Sequence, residues 1–185
     1  MPDGPNTQVP IDKPDQSSTL ARGAARRIEI PEVRLATYAD GQSIIAMDEV
    51  AQKQRLRTNF IHQSIASRGC YVATTNNQVA GYAVLQYTFF DHGLISMLFV
   101  DPDRRRSGIG SALVNHLENV CKTAKLFTLV PESEQPMQAL LVHLGYQNSG
   151  LIENLSDGGK ELVFFKPIER RVAPPTSTMN HRYGG

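Results

Sequence analysis

The sequence predicts an α/β fold, an α/β sandwich with a central mixed, mostly antiparallel sheet and helices on both faces. Strand-like and helix-like segments alternate in the order βααβββαβαββ, which is typical of strands that share one sheet. The chain has 185 residues, 41% of them hydrophobic, which suits one compact domain with some unstructured sequence. The third observation is a glycine turn within residues 100–118, which joins an apolar strand directly to an amphipathic helix.

The predicted domain spans residues 28–168, between two tails. Residues 1–27 are rich in Pro, Gly, Ser, Thr, Asn and Asp and contain almost no large apolar side chains. Such a segment cannot offset the entropy lost on ordering, so we predict a disordered N-terminal tail. Residues 169–185, with Pro174, Pro175 and a terminal glycine pair, are predicted to form a disordered C-terminal tail.

The elements before the glycine turn follow from hydrophobic periodicity. They are a strand over residues 28–38, helices over 40–52 and 54–68, and a hairpin of strands over 70–75 and 79–90. Pro31 removes a donor from the first strand, which places that strand near a sheet edge or at a bulge. The hairpin turn is assigned to Asn76, Asn77 and Gln78, because asparagine tolerates left-handed backbone conformations.

The elements around and after the glycine turn are predicted in the same way. They are a central strand over residues 94–100, a helix from residue 109, a strand over 125–130, a helix over 135–143, and a hairpin of strands over 146–152 and 161–166. The central strand is apolar almost throughout, as expected for a strand covered on both faces. Gly145 fits the C-terminal end of the second of these helices.

Composition excludes several classes of function. Nineteen Lys and Arg against 18 Asp and Glu leave a charge of +1, so no global field attracts nucleic acid or an anionic membrane. Cys70 and Cys121 are too few for a disulfide scaffold and lack the paired spacing of zinc sites. No apolar run approaches the ~18 residues of a membrane span, and no secretory signal is visible. We therefore expect a cytoplasmic protein with no metal and no membrane partner.

The turn RRRSGIG, residues 104–110, has the features of an anion site. The start of a helix leaves backbone N–H groups unpaired and carries a partial positive charge. The two glycines allow the backbone to approach a bulky anion, and the arginines add fixed charge. The turn therefore predicts a pocket for a phosphate or pyrophosphate.

Two common phosphate sites do not fit this turn. A Walker loop requires Lys and then Ser or Thr after its last glycine, whereas Ser111 and Ala112 follow Gly110. A dinucleotide fingerprint requires a small residue three places after Gly110, where Leu113 stands. Nucleotide hydrolysis and a nicotinamide site are both disfavoured.

Arg105, Gly108 and Gly110 match the Arg/Gln-x-x-Gly-x-Gly signature of the GNAT superfamily of acyl-CoA-dependent N-acyltransferases, which the sequence resembles over residues 28–167. Residues 97–102 resemble the family's central strand, and residues 135–146 resemble its second motif, a helix followed by glycine and an aromatic residue. The resemblance implies acetyl-CoA as co-substrate. The residues it implies for binding are Leu98, Phe99, Val100, Arg105, Arg106, Ser107, Gly108, Ile109, Gly110 and Ser111.

Acyl transfer to an amine requires a base for the amine, polarisation of the thioester carbonyl, and a proton for the thiolate. The candidate bases are Glu132, just past a strand, and His92, in the predicted turn before the central strand; either could instead be an ordinary surface residue. The resemblance implies that a backbone N–H near Leu98 or Phe99 would polarise the carbonyl. The family's usual acidic Tyr is replaced by Leu141, and Tyr146 is expected to pack in the core.

The sequence thus predicts an N-acetyltransferase that moves an acetyl group from acetyl-CoA to a primary amine by direct attack in a ternary complex. An acyl-CoA-binding module without turnover is the alternative, and a nucleic-acid-binding domain is disfavoured by the near-neutral charge. The sequence does not identify the acceptor amine. Nucleic acid is expected as a partner only if it carries that amine. A homodimer formed through the C-terminal strands is compatible with this kind of fold.

Overall fold

The computed structural model describes residues 30–155 and 158–169. The strands are β1 Glu32–Leu35, β2 Cys70–Thr75, β3 Gln78–Phe89, β4 His92–Val100, β5 Lys125–Pro131, β6 Gln147–Glu153 and β7 Lys160–Pro167. The helices are α1 Gly41–Met47, α2 Glu49–Lys53, α3 Arg55–Ala66, α4 Ile109–Val120 and α5 Gln135–His143, with 3₁₀ turns at Tyr38–Asp40 and Pro102–Arg104. The predicted N-terminal tail and all but the first residue of the predicted C-terminal tail lie outside these ranges.

The strands form one seven-stranded sheet in the order β1-β2-β3-β4-β5-β7-β6. Every neighbouring pair is antiparallel except β4 and β5, which are parallel. A parallel pair needs a crossover, and α4 supplies it. The predicted mixed, mostly antiparallel sheet is therefore confirmed.

The helices cover the two faces of the sheet, as predicted. The helices α1 and α3 pack on one face, over a core that includes Ile44, Ile61 and Tyr82. The helices α4 and α5 pack on the other face, over a core that includes Leu113 and Leu141. Alternate residues of the central strands contribute to opposite cores, which gives the domain its sandwich architecture.

The prediction of one helix over residues 40–52 is wrong, because the helix is interrupted at Asp48. Its backbone is extended, with φ −90° and ψ 100°. Its Oδ1 atom accepts hydrogen bonds from the amides of Val50 and Ala51 at 3.0 and 3.2 Å. An aspartate that caps a new helix in this way ends the previous one, so the order gains a third helix before β2.

Two hairpin turns use non-glycine residues in left-handed conformations. Asn76 and Asn77 have φ values of 48° and 61°, as expected from the sequence, but Gln78 is the first residue of β3 and not part of the turn. Phe90 and Asp91, with φ of 49° and 59°, make the turn between β3 and β4. Successive positive φ values suit the right-handed twist of the strands they join.

A half-buried ion pair links β1 to the 3₁₀ turn at Tyr38–Asp40. The strand itself is shorter than the predicted strand over residues 28–38. Asp40 accepts two hydrogen bonds from the Arg34 guanidinium, both at 2.8 Å. It also accepts from the amide and hydroxyl of Thr37, at 2.7 and 2.8 Å. The hydrogen bonds from Arg34 are the main reason that the pKa of Asp40 is lowered, and they outweigh the effect of burial.

The difference in stability between the wild type and a variant without this carboxylate should depend on pH. Asp40→Asn should lower the free energy of unfolding at pH 7 by about 1–3 kcal/mol, because charge-assisted hydrogen bonds are lost. Because the folded pKa lies below the unfolded value, the wild type's advantage should be full at neutral pH and should shrink as the pH falls below about 4. Urea unfolding at pH 7 and pH 3 measures both values, with exposed Asp91→Asn as the control. A difference that does not change with pH would contradict this role for Asp40.

Candidate functional site

The sheet opens between β4 and β5. The two strands pair only through Gly93 with Leu126, Leu94 with Phe127, and Ile95 with Thr128, although both continue for several residues. The buried Thr128 hydroxyl donates to the carbonyl of Ile95 at 3.0 Å, at the last paired position. Beyond this point the facing backbones are apart. They form a cleft that opens towards Val100 and Pro131.

A β-bulge in β4 accounts for the divergence. Ile95 pairs with Leu85 on β3, and Met97 pairs with the next residue, Val84. Ser96 is therefore an extra residue with no partner of its own in the ladder. A bulge bends and twists the strand that carries it, and here it bends β4 at the position where pairing with β5 ends.

The backbone of β4 beyond the bulge presents unpaired amides to the cleft. The amide of Asp101 donates to Ala80 on β3 at 3.0 Å. Alternate amides of a strand point the same way, so the Phe99 amide also faces β3, whereas those of Leu98 and Val100 face the cleft. The side chains of Leu98 and Val100 pack on the α4 side of the sheet, and Phe99 packs on the other side.

The glycine turn follows β4 and begins α4. Gly108 has φ +85°, and an added Cβ there would find no atom within 4 Å, so the space above it is open. The first helical bond runs from the Ala112 amide to the Gly108 carbonyl at 2.9 Å. The amides of Ile109, Gly110 and Ser111 donate to no described residue. These donors, together with the helix dipole, make the turn an anion site.

Gly110 has a second role that the sequence did not indicate. An added Cβ at this position would lie 3.1 Å from Cδ2 of Leu140 on α5. Its lack of a side chain therefore lets α5 pack closely against the first turn of α4. The open approach for an anion is provided at Gly108.

The three arginines of the turn differ in their contacts. Arg104 is held by Thr75 at 3.0 Å, by Gln78 at 2.7 Å and by an ion pair with Asp101 at 3.4 Å. It fastens the turn to the β2–β3 hairpin. Arg105 and Arg106 are exposed. Arg105 donates through Nε to the carbonyl of Val100 at 3.5 Å, and Arg106 adopts a left-handed φ of 59°. The charges at the rim that remain available to an anion are those of Arg105 and Arg106.

Glu132 lies at the open end of the cleft. It follows the last residue of β5, and its amide donates to the carbonyl of Lys160 at 2.9 Å. Its carbonyl accepts from the side-chain amide of Gln138 at 2.9 Å. The side chain is exposed. Because β4 and β5 are parallel, this carboxylate is at the same end of the sheet as Val100.

The sequence suggested that His92 lies in a turn, but His92 is the first residue of β4. It pairs with Phe89 and its ring lies 5.5 Å from that of Phe127. This is the closed end of the cleft, where β4 and β5 are still hydrogen-bonded. The structure therefore does not bring His92 and Glu132 together, and we do not include His92 in the mechanism proposed below.

Leu141, Tyr146 and Cys70 are buried and present no exposed acid or nucleophile. Leu141 is fully buried, and Tyr146 is 3% exposed, with its hydroxyl close to the carboxylate of Glu118. Burial raises the pKa of Tyr146. Burial also raises the pKa of Cys70 to about 12, so this thiol stays protonated at neutral pH. Tyr146 packs in the core, as expected.

Sequence reasoning missed a buried polar group on the α1–α3 side. Asp48 is fully buried, and its Oδ2 atom accepts from the Tyr82 hydroxyl at 2.6 Å and from Nε of Arg57 at 3.0 Å. Burial alone would raise the pKa of Asp48, but the hydrogen bonds and the charge of Arg57 outweigh it and the pKa is lowered. The available signal was an Asp within an otherwise helical pattern, which is typical of a cap.

Two statements about metals and membranes hold for residues 30–155 and 158–169. In this part of the chain no group of three or more His, Cys, Asp or Glu residues is arranged to hold a metal ion. None of the helices there has the length and apolar character needed to cross a bilayer.

Comparisons with known proteins agree with this geometry. The family model described as Acetyltransferase (GNAT) family matches residues 34–146. A GNAT family acetyltransferase structure from Bacillus cereus ATCC 10987 has a TM-score of 0.72 and 30% identity, covering 76% of this chain and 99% of that one. No protein with curated function is a significant sequence match.

Two further structures are similar at lower identity. The ribosomal-protein-S18-alanine N-acetyltransferase from Escherichia coli has a TM-score of 0.64 and 23% identity, covering 76% of this chain and 96% of that one. Ard1 from Thermoplasma volcanium has a TM-score of 0.63 and 17% identity, covering 76% and 99%. At these identities the likeness is one of fold.

The contribution of the Thr128 hydroxyl to stability can be tested by an isosteric substitution. Thr128→Val should lower the free energy of unfolding by about 1–2 kcal/mol, because the Ile95 carbonyl loses a buried donor. Thr88→Val, on the exposed side of β3, is the control and should change it by less than about 0.5 kcal/mol. Urea denaturation of both variants measures the difference. Equal stability of the two would show that the contact does not hold the strands together.

Proposed function

Because this chain belongs to the GNAT acetyltransferase family, we propose that it transfers an acetyl group from acetyl-CoA to a primary amine by direct attack in a ternary complex. The observation that carries the proposal is the continuity of the cleft with the glycine turn. Unpaired amides of Leu98 and Val100 lead along β4 to the unpaired amides at the start of α4. An extended amide-containing chain that ends in a pyrophosphate has groups complementary to both.

The proposed binding residues divide into two sets. The amides of residues 108–111 and the charges of Arg105 and Arg106 would bind the pyrophosphate, with Ser107 shaping the turn. The cleft-facing amides of Leu98 and Val100 would pair with the pantetheine arm like an added strand. The sequence also assigned Phe99 to this set. Its amide faces β3 and would not pair with the pantetheine arm, and its side chain packs on the α1–α3 side of the sheet.

The proposed chemistry uses the few polar groups at the cleft. An alkyl ammonium with a pKa near ~10 must lose a proton before or during attack, and Glu132 is the carboxylate at the open end that would accept it, directly or through water. The Leu98 amide would polarise the thioester carbonyl. Leu141 occupies the position of the family's usual acidic Tyr, so the thiolate would take its proton from solvent.

An acyl-CoA-binding module without turnover is the second candidate. It is favoured by the fully buried Leu141, which offers no hydroxyl where the family usually has one. Binding of acetyl-CoA with no release of thiol would distinguish it from an enzyme. The homodimer and the cytoplasmic location stay predictions.

Acetyl-CoA binding can be tested with a pair of glycine variants. At ~100 times its dissociation constant acetyl-CoA should stabilise the wild type by about 2.7 kcal/mol, seen as a thermal shift. Gly108→Val should abolish most of this shift, because its side chain would fill the open space above the helix start. Gly150→Val is the matched control, since Gly150 also has a positive φ, of +130°, and open space around it but lies on β6.

Both glycine variants should lose similar intrinsic stability, because valine is strained at either backbone position. Only Gly108→Val should also lose the response to acetyl-CoA. A full response in Gly108→Val would mean that the glycine turn is not the pyrophosphate site.

The proposed role of Glu132 as the base can be tested by measuring turnover. Glu132→Gln should lower kcat/KM for thiol release by about 10²-fold or more, with an unchanged thermal shift from acetyl-CoA. Exposed Glu134→Gln is the control and should behave as the wild type. Assays should use a panel of alkyl amines, amino acids and short peptides. Wild-type rates in Glu132→Gln would exclude this carboxylate as the base, and binding without release for every amine would favour the module without turnover.

A further inference from the structure

The carboxylate of Asp48 holds Arg57 in one orientation. All of the hydrogen-bonding contacts of Asp48 are made within the fold, to the amides of Val50 and Ala51, the Tyr82 hydroxyl and Nε of Arg57. Because Asp48 is fully buried and bound from four directions, it cannot follow the arginine if that side chain moves. Arg57 is therefore fixed by its Nε edge and loses little entropy when it binds a second group.

The two Nη groups of Arg57 donate no hydrogen bond that meets normal geometry within the described residues. The guanidinium also interacts with the Tyr82 hydroxyl, and the side chain is 21% exposed. Arg34 is a useful comparison within the same chain, because it gives both Nη atoms to the two oxygens of Asp40. An arginine that served only to neutralise Asp48 could pair in that bidentate way. Arg57 instead turns its Nε to Asp48, so that its two Nη groups give no hydrogen bond to that carboxylate and are partly shielded from water.

These donors lie on the side of the sheet that the proposed co-substrate leaves open. Arg57 reaches the sheet through Asp48 and Tyr82, and Tyr82 pairs with Phe99 across β3 and β4, with ring centroids 6.0 Å apart. Phe99 lies on β4 beyond the bulge, where that strand forms one wall of the cleft. The glycine turn and the side chains of Leu98 and Val100 belong to the opposite, α4 side. A row of contacts therefore leads from Phe99, at the wall of the cleft, through Tyr82 and Asp48 to Arg57, and an acceptor that approaches from the α1–α3 side would approach along it.

We propose that the Nη groups of Arg57 bind a carboxylate of the acceptor, so that the substrate is a small primary amine that carries a carboxylate, as an amino acid does. This inference rests on the proposed function. Two parallel N–H groups match the two oxygens of a carboxylate, and such charge-assisted pairs give both affinity and orientation. With the carboxylate held, the amino group of the same small molecule is directed towards the cleft.

The test compares amino acids with their carboxamides as acceptors. Leucine, methionine and phenylalanine would each be paired with the corresponding carboxamide, and thiol release would be followed at saturating acetyl-CoA. Arg57→Lys keeps the positive charge beside Asp48 but removes the planar fork. It should raise KM for the amino acids by about tenfold or more and leave the carboxamides nearly unchanged. Using the variant-to-wild-type ratio for each substrate cancels the different amine pKa values of acids and amides.

Arg55→Lys is the matched control, since Arg55 is exposed two residues earlier and has no partner among the described residues. It should change neither set of acceptors. The thermal shift with acetyl-CoA, measured on each variant, reports folding and co-substrate binding independently of the acceptor.

Each remaining outcome overturns the proposal. Equal losses for acids and carboxamides in Arg57→Lys would mean that Arg57 only supports the fold. Normal acetyl-CoA binding with no amino acid acetylated, or with carboxamides preferred by the wild type, would exclude the carboxylate while leaving the acetyltransferase proposal in place. Absence of acetyl-CoA binding in the wild type would remove the proposed function, and this inference with it.

Discussion

The separation of β4 from β5 after Ile95 and Thr128 is the constraint on which the site depends. A continuous sheet would leave no backbone donors at its centre, since each strand would satisfy its neighbour. The bulge at Ser96 ends the pairing, and the Thr128 hydroxyl satisfies the last carbonyl before the strands part. The unpaired amides of β4 are thereby confined to one cleft. The glycine turn continues the same row of donors into the start of α4.

The two faces of the sheet differ in the side chains that pack beside this cleft. On the α4 side the lining is apolar, with Leu98 and Val100 set against the core. On the α1–α3 side a buried carboxylate organises the short helices and holds an arginine. A buried charge costs stability unless it is fully hydrogen-bonded, and Asp48 meets this condition. Asp48 caps α2 and fixes the Nε edge of Arg57.

Much of the fold could be predicted because periodicity is a local property. The strands from Cys70 onwards and the amphipathic α4 follow from apolar spacing alone, and the asparagine turn follows from backbone preference. The glycine turn was recognisable because its residues are contiguous. Family membership followed from the same stretch together with the order of elements around it.

The features that sequence could not supply depend on pairing between distant residues. The bulge at Ser96 exists only relative to Val84 and Leu85, and a single strand carries no sign of it. His92 is suited to proton transfer by its chemistry, but the register of β4 places it at the closed end of the cleft. Three adjacent arginines are equivalent in sequence, yet Arg104 is occupied by the β2–β3 hairpin. Its position is set by tertiary contacts.

The most direct test of the central claim is amide hydrogen exchange at single residues, measured by NMR with and without acetyl-CoA. Exchange at Leu98 and Val100 should slow strongly on binding, because their amides face the cleft and would gain a partner there. The Phe99 amide, which faces β3, should change much less. Saturating acetyl-CoA that leaves Leu98 and Val100 unprotected would contradict the claim that the ligand completes the sheet along β4.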